Sequence, residues 1–426
     1  MNPIVKYLRS SVFVSLLSGS LIAQAVTLLS MPLITRIFSL EDMGLISIFI
    51  SFVTIPSSLA VFKFENVLLL CDDVEESKTL WSVFLWSITI VSSCSLIFFF
   101  IFHYNTILGI NELPLWSSIF VVLFIFGSGI SNIVRTLLVR EQDFHSLSST
   151  MVLKNVLNVL IRIIVGFFGG GFFALIAAEL LCLFSFFIQL IKKGIKQIVN
   201  SINTVKFSNA VVTAKKWKKF PLYESPSILL DQLSSVLPLL LIAQMLGITF
   251  AGLFALSYRV TFLPGTHLGF TMGEVFRGQF SQLFRNGQFR KAKYLFKYNM
   301  KKIILISIAF YIPIYFFIPR IIPIVFGNKW SGASDLVKYI TPWAATSFVV
   351  STLSSVFSVM QIQYLKLVYD ISAILLLFAA MNFLPVNNIA NFTKAICISN
   401  IVSNSIYFIL IVLAYKKLIK CAALQV

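Results

Sequence analysis

The sequence predicts an all-α, polytopic membrane protein with about twelve transmembrane helices. Three observations carry that prediction. Of 426 residues, 58% are hydrophobic and only 12% charged, with mean hydropathy +0.92, whereas a soluble globular chain carries about 25% charged residues. Apolar stretches of about 20 residues, long enough to cross roughly 30 Å of hydrocarbon as a helix, recur along the whole chain. Lysines and arginines concentrate in alternate connections between these stretches. Backbone amides in hydrocarbon must find partners within their own segment, so each stretch is read as a helix.

The expected spans are 11–31, 44–70, 80–102, 116–138, 151–168, 172–191, 222–246, 252–275, 300–318, 337–360, 367–384 and 394–414. Lys6 and Arg9, followed by an apolar run with Ala23-Gln24-Ala25, also fit a cleavable signal peptide. The run continues to Leu29 and opens a series of similar segments, so an uncleaved first helix is the simpler reading. Helices five and six are divided only by Gly169, Gly170 and Gly171, read as a tight turn. Pro32, Pro56, Pro238, Pro264 and Pro313 lie in or beside helices, where a missing hydrogen bond permits bending.

Cytoplasmic loops retain positive charge during insertion. With the amino terminus inside, segments 1–10, 71–79, 139–150, 192–221, 276–299, 361–366 and 415–426 hold 22 lysines and arginines, against three outside, Arg36, Arg320 and Lys329. Both termini are therefore expected in the cytoplasm. The formal charge of +18 reflects topology, and no nucleic-acid partner is expected. The basic loops, with Lys215-Lys216-Trp217-Lys218-Lys219 and Arg290-Lys291-Ala292-Lys293, lie at the inner surface, where membrane lipids with anionic head groups attract each cation by about 1 kcal/mol. Cys71, Cys94, Cys182, Cys397 and Cys421 show no CxxC spacing, and no metal site is expected.

The segment 192–221 divides the chain into two halves of six helices, 1–213 and 214–426, the arrangement of a duplicated bundle. Gly44-LISIFISFVTI-Pro56 and Gly252-LFALSYRVTFL-Pro264 place glycine and proline at identical spacing, and each segment ends near an acid, Glu65 or Glu274. Three stretches occur in order: Pro32-LITRIFSLEDM-Gly44, Gly247-ITFAGLFALSYRVTFLP-Gly265 followed by Gly273-Glu274-Val275-Phe276, and Phe326-GNKWSG-Ala333. In these the chain resembles the polysaccharide-transport flippases of the multidrug/oligosaccharidyl-lipid/polysaccharide exporter superfamily, the Wzx-type O-antigen flippases. The resemblance implies two six-helix lobes around a central cavity that opens alternately to the two membrane faces. It implies as cargo an undecaprenyl-pyrophosphate-linked oligosaccharide repeat unit, moved from the cytoplasmic to the periplasmic leaflet of a bacterial inner membrane. A polysaccharide polymerase and a chain-length regulator are the implied partners. No cofactor is expected beyond proton or sodium coupling.

A charge near the bilayer centre costs at least about 2.5–3.5 kcal/mol, so such residues face a polar cavity or a partner. Arg135, Glu65, Glu274 and Asp370 fall near inner span ends, where interfacial solvation suffices. Asp370 also follows Lys366 by four residues, the spacing of a helical ion pair. Arg162 and Glu179 flank Gly170 at nearly equal distance, so in an antiparallel hairpin they share one depth, as a structural ion pair or as part of a transport site. Lys63, Asp231 and Arg259 have no evident local partner and lie roughly 10–14 Å inside their helix ends. A guanidinium group matches phosphate oxygens through forked, charge-assisted hydrogen bonds. Arg259 is therefore the first candidate for contact with a pyrophosphate head group, with Lys63 and Arg162 next, and Asp231 is the candidate coupling-ion carboxylate.

Trp81, Trp86, Trp116, Trp330 and Trp343 lie near span ends and are expected in the interfacial aromatic belt. A membrane-embedded polysaccharide polymerase or ligase fits the topology but requires a substantial external loop. The longest outer loop, 319–336, has 18 residues, and His103, His145 and His267 form no motif. No enzyme and no catalytic residue are expected. A multidrug exporter of the same superfamily is the alternative, and Arg259, Arg162 and Lys63 suit an anionic cargo better than a cationic one.

The orientation is testable with reporter fusions. Fusions at Ile110, Asn328 and Asn388 should report periplasm, and fusions at Asn203 and Gly287 cytoplasm. Reversal at either basic segment would overturn the orientation.

Overall fold

The computed structural model describes residues 25–69, 74–193, 207–218, 220–360, 362, 364–383 and 388–423. Lys6, Arg9 and the start of the first expected span lie outside the described residues. Every regular element described is helical: α1 (Ala25–Ile37), α2 (Leu40–Ser58), α3 (Val74–Tyr104), α4 (Ser117–Arg140), α5 (Phe144–Phe167), α6 (Gly171–Leu181), α7 (Phe184–Lys193), α8 (Phe207–Lys216), α9 (Ser225–Leu246), α10 (Ile248–Arg285), α11 (Phe289–Phe326), α12 (Gly332–Leu353), α13 (Ser355–Val359), α14 (Tyr364–Phe383) and α15 (Ile389–Ala423). Among them are ten helical spans long and apolar enough to cross a membrane, with α6 and α7 forming one of them. Two shorter apolar helices, Ala25–Ile37 and Val368–Asn382, bring the apolar set to the expected twelve.

Local chemistry fixes where helices begin. Ser39 caps α2 in a reciprocal box: its Oγ accepts from the Asp42 amide at 3.0 Å, and its own amide donates to Asp42 Oδ2 at 3.1 Å. Asp143 accepts from Ser146 N at the start of α5, and Asn388 from Asn391 N at the start of α15. The three glycines after α5 form the expected turn, with Gly169 and Gly171 at positive φ.

The expected bounds need four corrections. Helix two ends at Ser58, not at residue 70. Phe62 and Lys63 then turn the chain at positive φ, and Phe64–Leu69 continues as a 3-10 turn. This segment is apolar because Val61, Phe64 and Leu68 pack among Leu80, Phe84 and Val134. Hydropathy registers that burial without distinguishing protein from lipid, and irregular backbone is tolerated where protein covers it.

The basic segment 276–299 is not a loop. It belongs to α10 and α11, joined only by Asn286-Gly287-Gln288, with Gly287 at φ +66. Lysine, arginine and glutamine are strong helix formers, so helices run on after the apolar span ends. The segment 192–221 contains α8, whose Ala210 and Trp217 just beyond it pack against the same core as Phe64. On the outer side, α11 runs through Pro313, Pro319 and Pro323 to Phe326, which leaves five residues before α12 in place of the expected 18-residue loop.

The described residues divide into two compact units, Met1–Gly252 and Leu253–Val426. In the first, α2 packs on α4, α6 and α9, and α3 on α4. The helix α9, first in the half expected at 214–426, thus joins the first unit. In the second, α12 packs between α11 and α15, and α14 lies against α15.

Within the first unit, the glycines that open the two matched segments, Gly44 and Gly252, face carbonyl oxygens at equivalent positions. A Cβ on Gly44 would stand 2.2 Å from the Ile248 carbonyl oxygen, and one on Gly252 would stand 2.4 Å from that of Leu40. Each glycine faces the carbonyl four residues before the other. In hydrocarbon, helix association depends on such close approach, because lipid is as apolar as the side chains it replaces. Gly44→Ala should therefore lower the melting temperature of the detergent-purified protein, with a loss of about 1–3 kcal/mol. Gly278→Ala, where the new methyl group would meet no described atom within 4 Å beyond its own stretch of helix, should leave it unchanged or raise it slightly. Equal effects at the two sites would remove the backbone contact as the cause.

Candidate functional site

Polar groups inside the apolar helices form separate clusters in each unit. In the first unit, α5 and α6 bring Arg162 and Glu179 together, with Arg162 Nη2 in direct ionic contact with Glu179 Oε1. Arg162 is buried, and its Nε has no hydrogen-bond partner among the described residues. On the same face of α5, Asn158 Nδ2 lies 3.7 Å from Cys182 Sγ, and Asn155 Oδ1 accepts from Thr27 of α1 at 3.3 Å. One side of α5 therefore carries an amide, amide, guanidinium series at residues 155, 158 and 162.

A second cluster sits past the end of α2. Lys63 Nζ lies 3.4 Å from Glu65 Oε1, which supplies the local partner that sequence spacing did not reveal. Lys63 occupies the turn after α2, not a site deep inside a helix, because Pro56 and the positive-φ residues end the helix first. Glu65 is 4% exposed and its Oε2 has no hydrogen-bond partner among the described residues, so it is buried by protein where interfacial solvation was expected. Burial pushes its carboxyl above the ordinary range, against the opposing pull of Lys63. Next to it, Asn66 Nδ2 donates to Glu224 Oε2 at 2.8 Å, tying this turn to the start of α9. Asp231 is exposed on α9, two turns from its amino-terminal end, and Arg135 is exposed on α4.

In the second unit Arg259 is half-buried on α10, directly after Tyr258. The Tyr258 ring stacks on Phe262 with centroids 4.2 Å apart, and both meet Trp343 of α12. Trp343 is thus packed in the unit's interior, and Trp81 and Trp330 are also buried. Only Trp86 and Trp116 keep the exposure expected of a belt, because closeness to a span end says nothing about which way a helix face points. On α14, Lys366 Nζ lies 3.6 Å from Asp370 Oδ2. Asp370 is 1% exposed, so protein covers a carboxylate that was expected to be solvated at the interface. Asn404 of α15 donates to Thr346 and Ser347 of α12 and accepts from Tyr369 of α14, binding three helices together. The Glu274 side chain lies outside what is described.

Sequence reasoning sought charges and so missed Asn155, Asn158 and Asn404. Amides in apolar helices carry the same signal more weakly, since they too must find partners away from water. Among the described residues, no three histidine, cysteine or acidic side chains gather in a way that would hold a metal ion.

These helices and their intramembrane polar clusters define a multi-span membrane protein. The chain belongs to the polysaccharide biosynthesis protein family, whose model matches residues 33–335, in agreement with the resemblance carried by the three sequence stretches. It is similar to the lipid II flippase MurJ in an inward closed conformation, at 13% identity and TM-score 0.69 over 93% of this chain and 90% of that one. It is also similar to an inward-facing multidrug resistance MATE family transporter of the MOP superfamily, at 15% identity and TM-score 0.65 over 93% and 96%. A MOP superfamily transporter from Pyrococcus furiosus shares 15% identity and TM-score 0.57 over 96% of each chain. At these identities the likeness establishes the fold. No match is found among curated proteins.

The contact between Arg162 and Glu179 yields a double-mutant prediction. Removing one partner leaves a buried, uncompensated charge, at a cost of about 3–5 kcal/mol. Arg162→Met or Glu179→Gln alone should therefore reduce folded protein in the membrane more than the double substitution does. Additive losses would mean the two groups are energetically independent.

Proposed function

We propose that the protein is a flippase for a lipid-linked oligosaccharide, carrying an undecaprenyl-pyrophosphate-linked repeat unit of O-antigen or a similar surface polysaccharide from the cytoplasmic to the periplasmic leaflet. The observation that carries this reading is the polysaccharide biosynthesis family match over residues 33–335 in a chain that has a transporter fold. The named activity of one structural neighbour, a lipid II flippase, supports a lipid cargo. The protein acts as a transporter and not as an enzyme, in a bacterial inner membrane, with both termini in the cytoplasm as the charge distribution favours. Polymerase and chain-length regulator are its proposed partners.

The proposed cycle is alternating access, with the anionic head group held by cations while the lipid tail stays in hydrocarbon. Arg259 is the first choice for that contact. Its guanidinium offers two parallel donors to phosphate oxygens, and the Tyr258–Phe262–Trp343 stack steadies the helix that carries it. Arg162 and Lys63, the next candidates, pair with Glu179 and Glu65. Asp231 is the proposed proton- or sodium-coupling carboxylate. A multidrug exporter is the second reading, favoured by the MATE-family likeness. It would predict transport of cationic drugs that does not depend on Arg259.

Arg259→Ala should abolish surface polysaccharide while the protein remains inserted and abundant, and the lipid-linked unit should accumulate on the cytoplasmic leaflet. Arg259→Lys should restore activity only in part, because ammonium keeps the charge and loses the fork. Full activity of the alanine variant at normal abundance would falsify the assignment. Loss of the protein itself would give Arg259 a structural role.

A further inference from the structure

The junction of α10 and α11 is a built surface. The apolar part of α10 ends near Thr266, so its remaining nineteen residues extend roughly 28 Å further. They pair with the start of α11 through an aromatic ladder. Phe276 meets Phe280 at 5.4 Å and Phe296 at 6.2 Å, Phe284 meets Phe289 at 5.3 Å, and Phe296 stacks on Tyr415 of α15 at 4.9 Å. Each aromatic pair contributes about 0.5–1.5 kcal/mol, which makes the hairpin rigid where a solvated loop was expected. Between residues 275 and 302 the sequence holds eight lysines and arginines and no acid.

The cations continue a lipid-facing stripe. Along one face of α11, Ile312, Ile308 and Leu305 are exposed apolar residues, followed towards the hairpin tip by Lys301 and Lys302, Tyr298 and Lys297, and Tyr294, all exposed. These positions recur at helical spacing, so they share a side. Lys301 lies about 6 Å from Leu305 along the axis, Lys297 about 12 Å and Arg290 about 22 Å. Charge attraction to a membrane surface decays over a screening length of about 10 Å. The tier of Lys297, Lys301 and Lys302 is therefore within reach of head groups, whereas Arg285, Arg290, Lys291 and Lys293 at the tip are largely screened from them.

We propose that Lys297, Lys301 and Lys302, with Tyr298 between them, form a docking surface for anionic phospholipid head groups in the leaflet next to the hairpin. Charge complementarity and direct continuity with lipid-exposed leucine and isoleucine select lipid over a soluble anion. The tyrosines suit the same place, since amphipathic rings settle at head-group depth. Anchoring the base of α11 in this way holds the second unit's hairpin at a fixed height against the membrane surface.

The test uses the purified full-length chain in neutral detergent, with phosphatidylglycerol or phosphatidylcholine added and lipid retention read by native mass spectrometry. The unaltered chain should retain phosphatidylglycerol in preference to phosphatidylcholine. K297Q/K301Q/K302Q should weaken that retention at least about tenfold, given a severalfold contribution from each near-surface cation. K297R/K301R/K302R should keep it, which separates charge from folding. R285Q/R290Q/K291Q/K293Q should change it less than about threefold. The proposal is overturned by wild-type retention in the near-tier glutamine variant, by equal retention of the two lipids, or by loss confined to the tip variant. That last result would place the lipid contact at the tip. Transport is not part of the readout, so the outcome is independent of the flippase reading.

Discussion

Hydrocarbon offers no hydrogen-bond partner, and the rest of this structure depends on that constraint. It forces the backbone into helices wherever lipid is the neighbour. Breaks are confined to places that protein covers, and the turn after α2 is the clearest example. Phe62 and Lys63 adopt positive φ there, at a cost of about 1–2 kcal/mol each for residues bearing a Cβ. That cost is tolerated because Val61, Phe64 and Leu68 are locked into a packed core. Serine and threonine obey the same constraint by donating back to the carbonyl of the preceding turn, as Ser47, Thr54 and Thr261 do.

The constraint also explains how the polar groups are grouped. A charge in this setting must bring its own partner, so Arg162 comes with Glu179, Asp370 with Lys366 and Glu65 with Lys63. Such pairs stabilise little over apolar packing, and their removal is costly chiefly because one partner would be left behind. They are therefore weak evidence for stability and better evidence for specificity or movement. Amides extend the pattern without charge: Asn404 joins three helices of the second unit through side-chain hydrogen bonds.

Family and fold address different levels of function. The family match places the chain in polysaccharide biosynthesis, and the structural likenesses, at 13–15% identity, place its fold among transporters that carry chemically different cargo. One architecture thus serves several substrates, and selectivity resides in particular side chains.

The sequence by itself determined the helical class, the number of apolar segments, the glycine turn between α5 and α6, and the family. Each follows from short-range quantities: hydropathy over one span, glycine conformational freedom, and the order of local motifs. The spacing about Gly170 was also enough to put Arg162 and Glu179 at one depth. Only the tertiary structure decided that helix two stops at Ser58, that Glu65 and Asp370 are covered by protein, that Trp343 lies inside the second unit, and that the basic segment 276–299 is a helical hairpin. The first three share one reason. Hydropathy reports that a residue avoids water, and only packing between helices distant in sequence settles whether lipid or protein takes the water's place.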